Sequence, residues 1–148
     1  MKAINLLPAL VLALLLNTRG TAQYEEAAIK EVIREAYENG YHNEGVLRNL
    51  ELGFSPEFRS VEIKDGVPVL LDLGACMADV EANHAKGVYP RKGQDRRNLF
   101  YHRLEIDGNI AHVKLNLKQG GETIAVEYLE LFKSPGGWLI LSITTREL

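Results

Sequence analysis

The chain has 148 residues, 46% of them hydrophobic and 25% charged, with 17 Lys and Arg against 20 Asp and Glu for a formal net charge of −3. A mildly acidic chain without a Lys/Arg stripe argues against nucleic acid as a partner, and this length suits one domain with a core, not two. Cys76 is the only cysteine, which excludes an internal disulfide.

In chain order, Met1–Ala22 comes first and has the three parts of a signal peptide: Lys2, an apolar run from Leu6 to Leu16, and the small residues Gly20-Thr21-Ala22. The apolar run, broken by Pro8, is about half of the roughly 20 residues that span a bilayer. Cleavage near Ala22 is expected, with an uncleaved anchor as the alternative. It would remove Lys2 and Arg19 and no acid, leaving 15 basic and 20 acidic residues and a net charge of −5. The mature domain, Gln23–Leu148, would then be secreted or periplasmic, with no membrane contact.

Ile29, Val32, Ile33, Ala36, Tyr37, Gly40 and Tyr41 form one apolar stripe at helical spacing, and Glu25, Glu26, Lys30, Glu31, Arg34 and Glu38 lie opposite. A short second helix is expected from Glu44 to about Leu50, ended by Gly53. Phe58–Ile63 alternates, and Lys64-Asp65-Gly66 turns it into Val67–Leu71, which reads as a hairpin. A third helix starts near Asp72, a suitable N-cap. It carries Leu73, Cys76, Met77 and Val80 on one face, with His84 a turn further on. Cys76 is expected to be buried as a small hydrophobe. Gly87 to Arg97 reads as an exposed loop.

From Leu99 to Leu148 the pattern is four alternating strands joined at Asp107-Gly108, Gln119-Gly120-Gly121 and Ser134-Pro135-Gly136-Gly137, an antiparallel meander. The expected fold class is therefore α+β, a curved antiparallel sheet wrapped over three N-terminal helices. This order resembles the nuclear-transport-factor-2-like cone fold shared by ketosteroid isomerases and polyketide cyclases, and is most similar to its "putative lumazine-binding" branch. The resemblance rests on Ala28-Ile29-Lys30-Glu31-Val32 with Tyr37, Gly87-Val88-Tyr89-Pro90, Ile106-Asp107-Gly108-Asn109-Ile110-Ala111, and above all Tyr128-Leu129-Glu130-Leu131-Phe132-Lys133 followed by Gly137-Trp138-Leu139-Ile140. It implies a shared shape over nearly all of Gln23–Leu148, with diverse chemistry among members.

Turn positions set the register, and the register sets which side chains share a face. With two-residue turns at Asp107-Gly108 and Gly120-Gly121 and no bulge, the helix-facing side collects Phe100, His102, Leu104, Ala111, Val113, Leu115, Val126, Tyr128, Glu130, Phe132, Leu139, Leu141 and Ile143. Its polar groups are His102, Tyr128 and Glu130, candidates for contact with a small apolar or aromatic ligand or for acid–base work. Tyr37, Tyr41 and His84 are expected to approach from the helices. The opposite face holds Leu129, Leu131, Trp138 and Ile140, an apolar strip suited to a two-fold homodimer, a contact the resemblance also implies, or to coverage by the 87–97 loop.

No zinc spacing, phosphate loop or Gly-x-Ser-x-Gly elbow occurs, so no cofactor and no metal are expected. No carboxylate could be matched to the base of the isomerase relatives. Three readings follow: an exported small-molecule-binding cone, an isomerase-, dehydratase- or cyclase-type enzyme, or a dimeric interaction module with a filled cone.

Overall fold

The computed structural model describes residues 7–148, with side chains described from Gly20 onward. The segment 1–6, and the side chains through Arg19, hold most of the expected export signal and lie outside the described residues. The elements are α1 (Leu7–Val32), a wide-turn helical segment (Ile33–Glu44), α2 (Leu47–Gly53), β1 (Phe54–Lys64), β2 (Val67–Asp72), α3 (Leu73–Ala85), β3 (Arg97–Asp107), β4 (Ile110–Gln119), β5 (Glu122–Ser134) and β6 (Gly137–Glu147). Among the described residues no helix is long and apolar enough to cross a membrane.

Six strands make one sheet in the order β2-β1-β6-β5-β4-β3. All neighbours are antiparallel except β1 and β6, which run parallel, so the sheet is mixed and the β1–β2 hairpin is one of its edges. The helical stripe lies in the concave side. Ile29, Ile33, Ala36 and Tyr37 form one core with Ala111, Val113, Leu115, Leu129, Leu131, Ile140 and Ile143 of the sheet. Asp72 caps α3 by accepting the Ala75 N–H at 2.8 Å, and free Cys76 is buried against the core.

From Ile33 on, the helix opens into i→i+5 turns, a form that is rare and often sits at functional sites. The loop after α3 holds its end through hydrogen bonds. Tyr89 Oη donates to the Tyr41 carbonyl at 2.6 Å, Arg91 Nε to the His42 carbonyl at 2.9 Å, and the Arg91 N–H to the Asn43 carbonyl at 2.8 Å. The widened turn stacks residues five apart, which brings the Tyr37 and His42 rings to 4.4 Å.

The meander forms, but its register departs from the regular hairpins. The β3–β4 turn is Gly108-Asn109, with Asp107 opposite Ile110, and His102 is an extra residue between the Tyr101–Leu115 and Arg103–Lys114 pairs. Ile124 is extra between Lys118–Thr123 and Leu117–Ala125, and Leu141 is extra between Leu131–Ile140 and Glu130–Ser142. One inserted residue sends every later side chain to the other face. Ala125, Glu127, Leu129 and Leu131 therefore face the helices, and Tyr128 and Glu130 face outward.

This inverts the expected outer strip. Leu129, Leu131, Trp138 and Ile140 are buried inside the domain, Ile140 with 0% exposure, so they cannot be an exposed dimer contact. Trp138 also has a partner within its own chain, donating from Nε1 to Glu25 at 2.6 Å. The strip is apolar because it is the core.

Candidate functional site

A cavity of about 290 Å3 lies between the wide-turn segment and the inner face of β1, β5 and β6, with Cys76 of α3 also reaching it. Tyr37, Tyr41, Phe54 and Phe58 supply its aromatic wall, and Leu117, Ala125 and Ile143 its aliphatic floor. Tyr37 and Tyr41 lie parallel, 5.9 Å apart and 7° from coplanar. Their spacing of four on the helix puts them on one side.

The polar wall is built around Glu127, which is 1% exposed. Tyr37 Oη donates to Glu127 Oε1 at 2.6 Å, and Thr145 Oγ1 reaches the same oxygen at 3.5 Å. Among the described residues Glu127 Oε2 has no hydrogen-bond partner. Burial pushes the carboxyl up to about 7, against the pull of the Tyr37 and Thr145 hydrogen bonds and of Arg97. Burial and the adjacent Glu127 together hold the Tyr37 hydroxyl well above its ordinary value.

His42 is the second buried polar group on this wall. Its Nδ1 lies 3.1 Å from Arg97 Nη1, and its Nε2 has no hydrogen-bond partner among the described residues. Burial, then Arg97 and Arg91, hold it well below the usual histidine range, so it is neutral. Arg97 itself is fixed from two sides. Its Nε donates to Gln119 Oε1 at 3.2 Å, and its backbone is clamped by Asn43, whose Oδ1 accepts the Arg97 N–H at 2.8 Å while Nδ2 donates to the Arg97 carbonyl at 2.7 Å. The side-chain amide of Asn43 thus spans the helical segment and β3.

The residues expected at the site divide. Tyr37 and Tyr41 line the cavity. His84 does not; its Nε2 lies 2.7 Å from the Gly45 carbonyl and ties α3 to the turn after the wide segment. His102 sits at the β3 bulge on the outer face, its ring 5.2 Å from that of Phe100. Tyr128, 48% exposed, and Glu130 line a shallow outer groove with Lys114, whose Nζ is 5.5 Å from the Tyr128 ring centroid. The bulge at Ile124 exchanges them for Glu127. A single acid between Ala125 and Leu129 on the alternate face was the available signal for Glu127. His42 and Arg97 were hidden, because regular helical spacing takes His42 off the stripe and Arg97 is 55 residues away.

Among the described residues no group of three or more His, Cys, Asp or Glu side chains is placed to hold a metal ion. The cavity wall holds a buried carboxyl and a buried imidazole beside aromatic rings, groups able to orient a small flat molecule or to move a proton.

Residues 24–144 match the protein family described as "putative lumazine-binding". No curated protein matches the chain. Solved structures share the fold. An NTF2-like protein of unknown function from Silicibacter pomeroyi DSS-3 aligns over 86% of this chain and 98% of its own, with a TM-score of 0.70 and 18% identity. An NTF2-like protein of unknown function from Shewanella baltica OS155 aligns over 84% and 94%, with a TM-score of 0.67 and 17% identity. A de novo designed protein with a curved β-sheet aligns over 79% and 98%, with a TM-score of 0.53 and 14% identity.

Proposed function

Since the chain belongs to the "putative lumazine-binding" family of NTF2-like proteins, we propose that it is an exported small-molecule-binding protein whose ligand lies in the cavity beside Tyr37, Tyr41 and Glu127. The observation that carries this reading is the cavity itself: about 290 Å3, with aromatic and aliphatic walls and two buried polar groups that lack a full set of partners. Ligand pockets have this composition, an apolar body with a few placed polar groups. The same volume argues against a cone filled by its own side chains.

Export rests on the sequence of Met1–Ala22, and the expected product is a mature chain starting at Gln23. Mass spectrometry of protein recovered from outside the cytoplasm tests it; an intact Met1 terminus would refute cleavage. A two-fold dimer would need a surface other than the buried strip, and the outer sheet face, where Phe100 is 53% exposed, is a candidate for it.

The test of binding is a thermal-shift screen of mature protein with lumazine and a set of small aromatic molecules. A ligand present at 100 times its Kd adds about 2.7 kcal/mol of stability. No shift with any of them would count against the reading. The second reading, an enzyme moving a proton, is favoured by one observation: burial raises Glu127 to about 7, where a carboxyl works as acid or base at neutral pH. Turnover of any ligand found, with a pH profile removed by Glu127→Gln, would select it.

A further inference from the structure

We propose that Glu127 and His42 form a two-donor site for a neutral carbonyl-bearing ligand, a ketone, aldehyde or cyclic amide, and not for an organic cation. This rests on the cavity being a ligand site and names the chemistry it selects.

The argument is an account of protons. A guanidinium has donors and no acceptor. Arg97 Nη1, 3.1 Å from His42 Nδ1, therefore requires Nδ1 to be the unprotonated nitrogen. A neutral imidazole then carries its hydrogen on Nε2, and that N–H is buried without an acceptor. The side-chain contacts Arg97 makes are with His42 and Gln119, and it acts on Glu127 only through its charge at longer range. No ion pair to Glu127 exists among the described residues. A carboxyl buried without a counter-ion is held as the neutral acid. Tyr37 Oη donates to Oε1, with Thr145 Oγ1 on the same atom, so the acid proton belongs on Oε2. Oε2 also has no acceptor among the described residues.

Two buried donors thus flank Tyr37, one hydrogen-bonded to it through the other carboxyl oxygen and one packed on its ring. An unmet buried donor is costly, so each calls for an acceptor from the ligand. The aromatic rings beside them suit a flat apolar body. The remaining titratable groups on the cavity wall are Tyr41, Glu62, Cys76 and Glu147. Burial is what chiefly disfavours ionisation of Glu127; Glu62 adds to it, and Arg97 works against it.

The experiment compares three probes of matched shape by fluorescence titration and thermal shift at pH 6: 2-acetylnaphthalene (acceptor only), 2-naphthylmethylammonium (donor only) and naphthalene (neither). The expected order puts 2-acetylnaphthalene first, about tenfold or more tighter than naphthalene, the worth of a buried hydrogen bond. Its C=O stretch when bound should lie below that in hexane. Affinity should fall by about tenfold per pH unit once Glu127 ionises above about 7. Glu127→Gln, which keeps an acceptor for Tyr37 and an N–H donor, should retain binding and lose the pH dependence. Glu127→Leu, which leaves His42 Nε2–H as the one donor, should keep only part of the preference for 2-acetylnaphthalene over naphthalene and lose the pH dependence.

Tighter binding of the ammonium, or affinity rising with pH, would overturn the proposal and leave the cavity reading intact. Equal affinity for 2-acetylnaphthalene and naphthalene would do the same. If none of the three probes binds, this proposal fails; the cavity reading fails with it only if the lumazine and small-aromatic screen also gives no shift. The wild-type pH profile and C=O frequency decide the matter even where a variant does not fold.

Discussion

Tyr37, in the wide-turn helical segment, donates a 2.6 Å hydrogen bond to Glu127 in β5, 90 residues further along the chain. With the His42–Arg97 contact it joins the helical layer to the sheet at the cavity, and it gives a buried carboxyl its one short contact. Replacing Tyr37 with Phe removes the donor and leaves Oε1 with only the 3.5 Å contact from Thr145. The expected cost is about 1–2 kcal/mol in urea unfolding. The Glu127 carboxyl should also move further above about 7, read from its 13C chemical shift against pH. An unchanged titration would mean that the bond does not tune this acid.

Stability should depend on pH through Glu127 with a definite sign. Its folded pKa is raised from 4.5 to about 7, so between those values the folded protein holds a proton that the unfolded chain has released. The contribution is fully present below about 4.5 and is lost as pH rises through about 7. A raise of this size corresponds to about 3 kcal/mol. Glu127→Gln should flatten that part of the profile and be the more stable protein at pH 8. Identical pH profiles for the two proteins in chemical denaturation would refute the burial argument.

Ile140→Lys tests the face assignment of the sheet. Ile140 is at 0% exposure between Leu131 and Phe54 in the pairing of β5, β6 and β1. A lysine there buries an unpaired charge, at an expected cost above about 4 kcal/mol, enough to unfold a marginal domain. Circular dichroism should show loss of structure. A folded monomer by light scattering would instead place Ile140 on a surface.

Gly45 and Gly66 make a controlled pair. Both have positive φ, 67° and 77°, but an added Cβ at Gly45 would lie 2.5 Å from Tyr89 Cδ2 and 2.6 Å from His84 Nε2, whereas at Gly66 it meets nothing. Gly66→Ala should cost about 1 kcal/mol from backbone strain alone. Gly45→Ala should cost at least about 2 kcal/mol, since it also pushes against two packed rings. Equal costs would show that the turn after the wide segment yields freely.

The helices, hairpins and turn signals were legible because each depends on residues close in sequence. Asp72 at the start of α3 and the stripe from Ile29 to Gly40 are local facts. The site was not local. Both faces of β5 are rich in apolar residues, Val126, Tyr128 and Phe132 on one and Ala125, Leu129 and Leu131 on the other, so composition could not choose between them. The choice fell to one inserted residue, Ile124, and nothing in its identity announces a bulge. The apolar excess along Leu129, Leu131, Trp138 and Ile140 was visible, and it marked a core. His42 and Arg97 met through a change of helical pitch and a clamp by Asn43, both products of tertiary packing.

The parallel contact between β1 and β6 sets an order of events for a chain that must find this shape. β6 lies between β1 and β5, so the hairpin made by β1 and β2 has no place in the sheet until Gly137–Glu147 arrives. The Phe54–Ile140 pair is 86 positions apart in sequence, a loop whose closure comes before most of its rewards. An incomplete chain can form local helices and the β3–β4–β5 hairpins, yet it leaves the edges of β1 and β5 open. Folding therefore waits on the last strand, and slow refolding after dilution from urea is the kinetic signature of that wait.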